Sequence, residues 1–535
     1  MHADRVYFNG KIHTMDEARP VVRAVAIAGN QIVAAGGDDE MRALLAPGGQ
    51  AVDLHGRTVV PGFTDAHLHF LSYGLSLRQI DLAEVPTLAE AQQRVAARAA
   101  ATPAGHWLTG RGWDQSLWAG GRFPSRHDLD AVAPDHPVLL RRKCGHAAWA
   151  NSRALALAGI GADTPDPFGG EIERDPATGA PTGILKELAI DLVDRLLAEP
   201  SDAEAVEAVR AAMAVAHTHG IVGIHNMEGA AALRAFQTLR DAGELKLRVV
   251  QQIPEADMDA AIQVGLRSGW GDDLLRIGAV KMFADGALGA RTALMVEPYE
   301  GEPDNRGIAV ATAEHLAAQV DKAARAGLAV HIHAIGDQAN RHVLDAIEAT
   351  RRAGVGLELR HRIEHAQVLH PDDLLRFAEL GVIPSMQPIH CTQDMRMADA
   401  HWGARSRLAY AWRSLAETGA VLAFGSDAPV EDLNVLRGIH ATVTRRRGDG
   451  TPAGGWYPEQ SLTVDEAVAA YTTGAAYSVK REHVQGRIAP GMFADLVVLS
   501  EDIFSIPAMS ILETDVVATI VGGEIVHGAA ALLGA

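Results

Sequence analysis

Between residues 58 and 427 the chain keeps returning to one pattern. A short apolar, β-branched run ends on a residue with ligand or acid-base chemistry, turn residues follow, and a stretch of helical periodicity leads to the next run. The run-ending residues include His67 and His69, Lys281, His333, His365 and Asp427. Turn signals close these runs at Asp285-Gly286, Gly336-Asp337, Pro371 and Pro429. Residues 314–327, 337–354 and 406–419 read as helices, each stopped by a glycine. Strand followed by helix, repeated, requires a parallel sheet. Counting from the run that carries His67 and His69, strands are expected at 221–226, 247–253 and 276–281, then ending at His333 and at His365, then at 382–387 and 421–426. Eight such units predict an α/β chain built on a (β/α)8 TIM barrel, with its chemistry at the C-terminal ends of the strands.

The segment Pro61-Gly62-Phe63-Thr64-Asp65-Ala66-His67-Leu68-His69 follows Thr58-Val59-Val60. On a strand, positions two apart share a face, so His67 and His69 can offer both imidazoles to one metal ion. That is half of a metal site, and the remaining run ends supply candidates for the rest.

Further motifs are Lys281-Met282-Phe283-Ala284-Asp285-Gly286-Ala287-Leu288-Gly289, His333-Ala334-Ile335-Gly336-Asp337, Arg362-Ile363-Glu364-His365-Ala366-Gln367 and Gly425-Ser426-Asp427-Ala428-Pro429. With the His-x-His segment and the stretch 486–496, they make the chain resemble the amidohydrolase superfamily, in particular its YtcJ-like branch with the N-substituted formamide deformylases. The resemblance implies two divalent metals, held by His67, His69, a carboxylated Lys281, His333, His365 and Asp427.

Residue chemistry fits that set, since imidazole and carboxylate suit zinc and similar metals. A cationic amine cannot be a ligand, so Lys281 needs a reason. It is either carboxylated by CO2 to a bridging carbamate or kept as an ammonium that pairs with Asp285 or a substrate anion. Alternation puts Ile277, Ala279 and Lys281 on one face, with Lys281 at the mouth. His331 shares the face of His333 one layer deeper, where core packing is expected. His361 lies at a strand start, where a solvated or structural role is expected. His225 faces the site from the end of the second strand, as an outer or substrate contact or as an ordinary hydrogen-bonded histidine.

At 535 residues and 48% hydrophobic residues, the chain should exceed one domain. A net charge of −19 argues against nucleic-acid or anionic-membrane partners and leaves a small-molecule substrate. The two cysteines, Cys144 and Cys391, are too few for a disulfide framework or a thiolate zinc site. No apolar run approaches membrane-spanning length and no leader pattern opens the chain, so a cytoplasmic location is expected. Homo-oligomerisation stays open.

The expected organisation has a composite β-sandwich from 1–58 and 486–535, and a barrel from 59–70 and 218–485. An insertion at 71–217, after the first barrel strand, should cover the mouth. Within it, Trp113 and His146 are candidate pocket residues; Trp118 and Trp149 accompany them, and Trp149 is expected in the insertion's own core. Arg291, in the loop after Lys281, either contacts substrate or braces the loop. Arg445-Arg446-Arg447 reads as a solvated helix end.

The resulting expectation is a hydrolase of a C–N bond, in an N-substituted amide or formamide. A metal-activated hydroxide attacks, and Asp427 acts as general base and acid. The alternatives are a mononuclear deaminase, whose usual His-x-x-Glu is absent here because Ala334-Ile335-Gly336 follows His333, and a non-catalytic ligand-binding protein on a retained barrel.

Overall fold

The computed structural model describes residues 2–143, 145, 147–167, 170–197 and 200–533. They divide into two compact units, one made of residues up to 70 together with 209 onward, the other Leu71–Ala208. No helix among the described residues is long and apolar enough to cross a membrane.

The first unit contains an eight-stranded sheet whose strands are neighbours in chain order. They are β1 (Phe63–Leu68), β2 (Ile221–Asn226), β3 (Arg248–Pro254), β4 (Leu275–Phe283), β5 (Ala329–Ala334), β6 (Arg362–His365), β7 (Ile383–Met386) and β8 (Ala423–Phe424). Every ladder is parallel; Lys281 stands beside His331, Phe283 beside His333, and His333 beside Glu364. The ends of the order are joined by two hydrogen bonds, Asp427 N–H to His67 O (2.7 Å) and His69 N–H to Ala428 O (2.8 Å). This closed ring is a (β/α)8 barrel.

Helices between the strands follow the caps written in the sequence. Thr312 accepts from the His315 amide at the start of Ala313–Arg325, and a further helix, Asp337–Arg352, opens after Gly336. The helix expected at 406–419 is instead broken into a 3-10 turn, Gly403–Leu408, and a short helix, Trp412–Glu417. The cause lies in the basic run. Arg445 is fully buried rather than solvated, and its guanidinium donates to the carbonyls of Ala409, Tyr410 and Trp456, drawing the chain out of helical pairing at 409–410.

Thr58–Pro61, which the sequence joins to the His-x-His strand, pairs with Leu496–Leu499 and Lys11–His13 in a separate six-stranded sheet. Gly62 separates the two strands. Residues from both chain ends, among them Ile12, Val25, Val59, Leu496, Val498 and Ile520, share one apolar core. Arg248 at the start of β3 makes a buried two-point ion pair with Asp495 in the segment leading into Leu496–Leu499.

Strand β8 is two residues long, shorter than the expected 421–426, because side chains finish the seam. Both oxygens of buried Asp65 on β1 accept from the Ser426 amide, at 3.0 and 3.1 Å. A Cβ on Gly425 would stand 2.4 Å from His67 N and 2.6 Å from Asp65 Oδ1. Backbone on one side and a fixed carboxylate on the other leave no room to yield. Gly425→Ala is therefore expected to cost ~1–3 kcal/mol, as overpacking does, read as a lower denaturation midpoint at unchanged slope.

Candidate metal centre

Six side chains from five strand ends meet at the C-terminal mouth of the barrel. His67, His365 and Asp427 offer ligand atoms that all lie within 4.8 Å of one another. The Nε2 atoms of His67 and His69 are each 3.4 Å from Asp427 Oδ1. The His333 ring stands beside that of His365, with centroids 4.7 Å apart. Lys281 is buried, its Nζ 4.8 Å from the centre of the Phe283 ring.

A histidine that binds a metal through one nitrogen usually spends the other N–H on an outer acceptor. Three of the four imidazoles are already arranged so. His67 Nδ1 donates to Glu364 Oε2 (2.5 Å), His365 Nδ1 to Gln387 Oε1 (2.7 Å) and His333 Nε2 to the carbonyl of Gly286 (2.9 Å). His333 and His365 leave the other nitrogen bare, while His67 turns Nε2 toward Asp427 Oδ1. Burial, with neighbouring Lys281, brings His333 down to about 3; burial, with His333 and His67 nearby, holds His365 well below the usual range. Neutral imidazoles are what a metal needs. His69 moves the other way: burial lowers it, but the hydrogen bond to Asp427 together with the charges of Asp427 and Glu228 raises it overall.

Burial alone would raise the carboxyls of Asp427 and Glu364. Hydrogen bonds from His390, His67 and His69 keep Asp427 ionised, and Arg362 with His67 does the same for Glu364. Burial also brings Lys281 down to about 8 despite the pull of Glu364 and Asp427, and its Nζ has no hydrogen-bond partner. Bare nitrogens, an ionised carboxylate and an orphaned amine together fit a divalent metal centre.

Beneath this layer lies a network that the motif-by-motif reading of the sequence missed. Arg362 donates Nε to Glu364 Oε1 (2.8 Å) and Nη2 to Glu364 Oε2 (3.0 Å), the Ala66 carbonyl (2.5 Å) and Ser385 Oγ (2.6 Å). Its Nη1 donates to His225 Nδ1 (2.8 Å). His225 is thus an interior partner of Arg362. Two of the candidate ligands also hold left-handed backbone, His365 with φ +74° and Asp427 with φ +59°. Such conformations cost of order 1–3 kcal/mol each and persist where surrounding contacts impose them.

The remaining expected residues fall elsewhere. Trp113 is fully buried, donates Nε1 to the Leu140 carbonyl (2.7 Å), and packs with Trp118 and Trp149 in the core of the second unit, so it has no face left for a pocket. Arg291 pairs with Glu302 on the loop and braces it. His146 lies outside the described residues. Asp285 does not pair with Lys281; its oxygens accept from the amides of Leu294, Ile335 and Gly336. His361 is buried, not solvated, and its Nδ1 accepts from the Val330 amide.

Glu364→Gln keeps the shape but removes the anion that fixes the His67 tautomer and pairs with Arg362. It is expected to weaken metal affinity ~10- to 100-fold, checked by competition with a chelator of known strength.

Comparison with known proteins agrees with this geometry. The family model described as Amidohydrolase family matches residues 50–527. YtcJ of Bacillus subtilis is 34% identical over 531 residues, covering 98% of this chain and 99% of its own length. The N-substituted formamide deformylase of Arthrobacter pascens is 30% identical over 537 residues, 97% of each chain. The crystal structure of an uncharacterised metal-dependent hydrolase from Pyrococcus horikoshii superposes with a TM-score of 0.79 at 30% identity, over 94% of this chain and 99% of its own. Motifs, barrel and the side-chain cluster at the strand ends converge with these matches on one conclusion: the chain belongs to the amidohydrolase family of metal-dependent hydrolases.

Proposed function

We propose that the protein cleaves a carbon–nitrogen bond in an N-substituted amide or formamide, as a cytoplasmic enzyme of small molecules without nucleic-acid or membrane partners. The observation that carries this reading is the buried, partnerless Nζ of Lys281 within a ring of imidazoles and carboxylate. An ammonium held there without partners is unfavourable. A free amine can instead attack CO2: the Nζ lone pair bonds to carbon, one Nζ proton leaves to solvent, and the resulting carbamate carries one negative charge. His67, His69, His333, His365, Asp427 and that carbamate would then hold two divalent ions, with zinc favoured by the nitrogen and oxygen donors. When bound, such ions polarise a carbonyl and lower the pKa of water.

The chain's own groups perform the proton transfers. Asp427 faces His67 and His69 with Oδ1. Its carboxylate accepts a proton from the attacking water and returns it to the nitrogen as the C–N bond breaks. Water oxygen ends in the acid product and the amine leaves neutral. Phe283, 46% exposed and 5.3 Å from the His333 ring, offers an apolar surface for the nitrogen substituent. The name of the Arthrobacter pascens relative, an N-substituted formamide deformylase, supports the same substrate class.

Purified protein is expected to hold up to two divalent ions per chain and to release amines from N-formyl or N-acyl substrates. Chelation should abolish turnover, and metal should restore it. Elemental analysis beside an amine-release assay checks both; saturation at one ion, or no turnover by metal-replete protein across the panel, rejects the reading.

Lys281→Ala should lose metal and activity together, and a small carboxylate supplied with excess metal should restore part of each. Full metal retention in Lys281→Ala would sink the carbamate.

A further inference from the structure

Strand β7 provides none of the six candidate ligands, yet the turn that leaves it touches two of them. Gln387 accepts from His365, as described, and three residues later His390 Nε2 lies 3.3 Å from Asp427 Oδ2. Pro388 sets the geometry by opening the helix Pro388–Trp402 directly after Gln387, so Gln387 is the N-cap and His390 stands in the first turn. The other nitrogen of His390, Nδ1, is 3.3 Å from Oε1 of Glu431, four residues beyond Asp427. The imidazole is therefore held between two carboxylates, one from the metal centre and one from the loop after β8. The neighbouring acid Asp394 does not compete, because its Oδ2 is taken by Gln367 Nε2 (2.9 Å) and the Tyr410 hydroxyl (2.7 Å).

The two oxygens of Asp427 thus face different partners, Oδ1 toward His67 and His69 and Oδ2 toward His390. An aspartate turns freely about its last bond unless something grips one oxygen. We infer that His390, backed by Glu431, is a positioning residue that fixes the Asp427 carboxylate so that Oδ1 is the oxygen offered to the metal. Outer contacts of this kind orient ligands and are typically worth ~10- to 100-fold in metal affinity or activity.

The inference rests on Asp427 being a ligand, and a double-mutant cycle separates the two ideas. Zn2+ dissociation constants are measured by chelator competition on the full chain for wild type, His390→Ala, Asp427→Asn and the double variant. His390→Ala is expected to weaken zinc ~10- to 100-fold in the wild-type background and less than about threefold in the Asp427→Asn background. His390→Gln, which keeps an N–H donor, should recover part of the loss and carries the same comparison where His390→Ala does not fold. Glu431→Gln should reproduce a smaller loss, again only where Asp427 is present. Equal losses in both backgrounds, as a general packing defect would give, overturn the positioning role, as does no loss in either. A silent Glu431→Gln overturns the part given to Glu431. Unchanged zinc affinity in Asp427→Asn overturns the reading of Asp427 and, with it, that of His390.

Discussion

The buried ion pair between Arg362 and Glu364 is the interaction on which the mouth of this barrel depends. Both residues are fully buried, so each charge has lost its water and must be repaid by the other. Removing either partner from such a pair costs ~3–5 kcal/mol, because a bare charge remains inside. The pair also has a direction. Glu364 faces upward to His67, while Arg362 reaches sideways to β1 through the Ala66 carbonyl, to β2 through His225 and to β7 through Ser385. One guanidinium thereby spaces four strands around the interior, and one carboxylate turns a histidine toward the centre.

Above that pair the site is held by contacts of unequal kind. His67 and His333 are oriented from within the barrel wall or its adjoining loop; His365 and Asp427 are gripped from outside, by the N-cap and first turn of a single helix. These last two are also the candidate ligands with left-handed backbone. Strained backbone and outer grip occur at the same positions, which fits the general observation that stored strain is maintained by neighbours that over-determine it.

The barrel was legible because strand and helix periodicities differ and five of the eight strands ended on a conspicuous residue. Lys281, His333 and Asp427 could be singled out for the same reason. What sequence concealed were relations across strands. Arg362 and Glu364 stand two apart in a motif that reads as an ordinary strand, and only the register of β1, β2 and β7 around β6 reveals why both are charged. Gly62 is too slight a break to divide Thr58–Pro61 from β1 by pattern alone. Trp113 sits among glycines and polar residues, which suggested a pocket, but its ring is committed to the core of the second unit. Arg445 belongs to a basic triplet, and no local rule says that one of three arginines will be swallowed by carbonyls from a distant turn. His390 stood outside every motif because its partner lies on another strand end.

The seam of the barrel carries a consequence for how the centre comes into being. Its closing contacts join β1 to the end of β8, with Asp65 and Ser426 separated by 361 residues, and three of the four backbone groups that close the ring belong to His67, His69 and Asp427. Contacts so distant along the chain are expensive in entropy and form late in folding. A nascent chain emerging from the ribosome carries His67 and His69 long before Asp427 exists, and during that interval they form no cage. For the proposed ligand set, selection among the cell's metals would be deferred until the last strand docks, when a finished cavity rather than a loose histidine pair meets the ion.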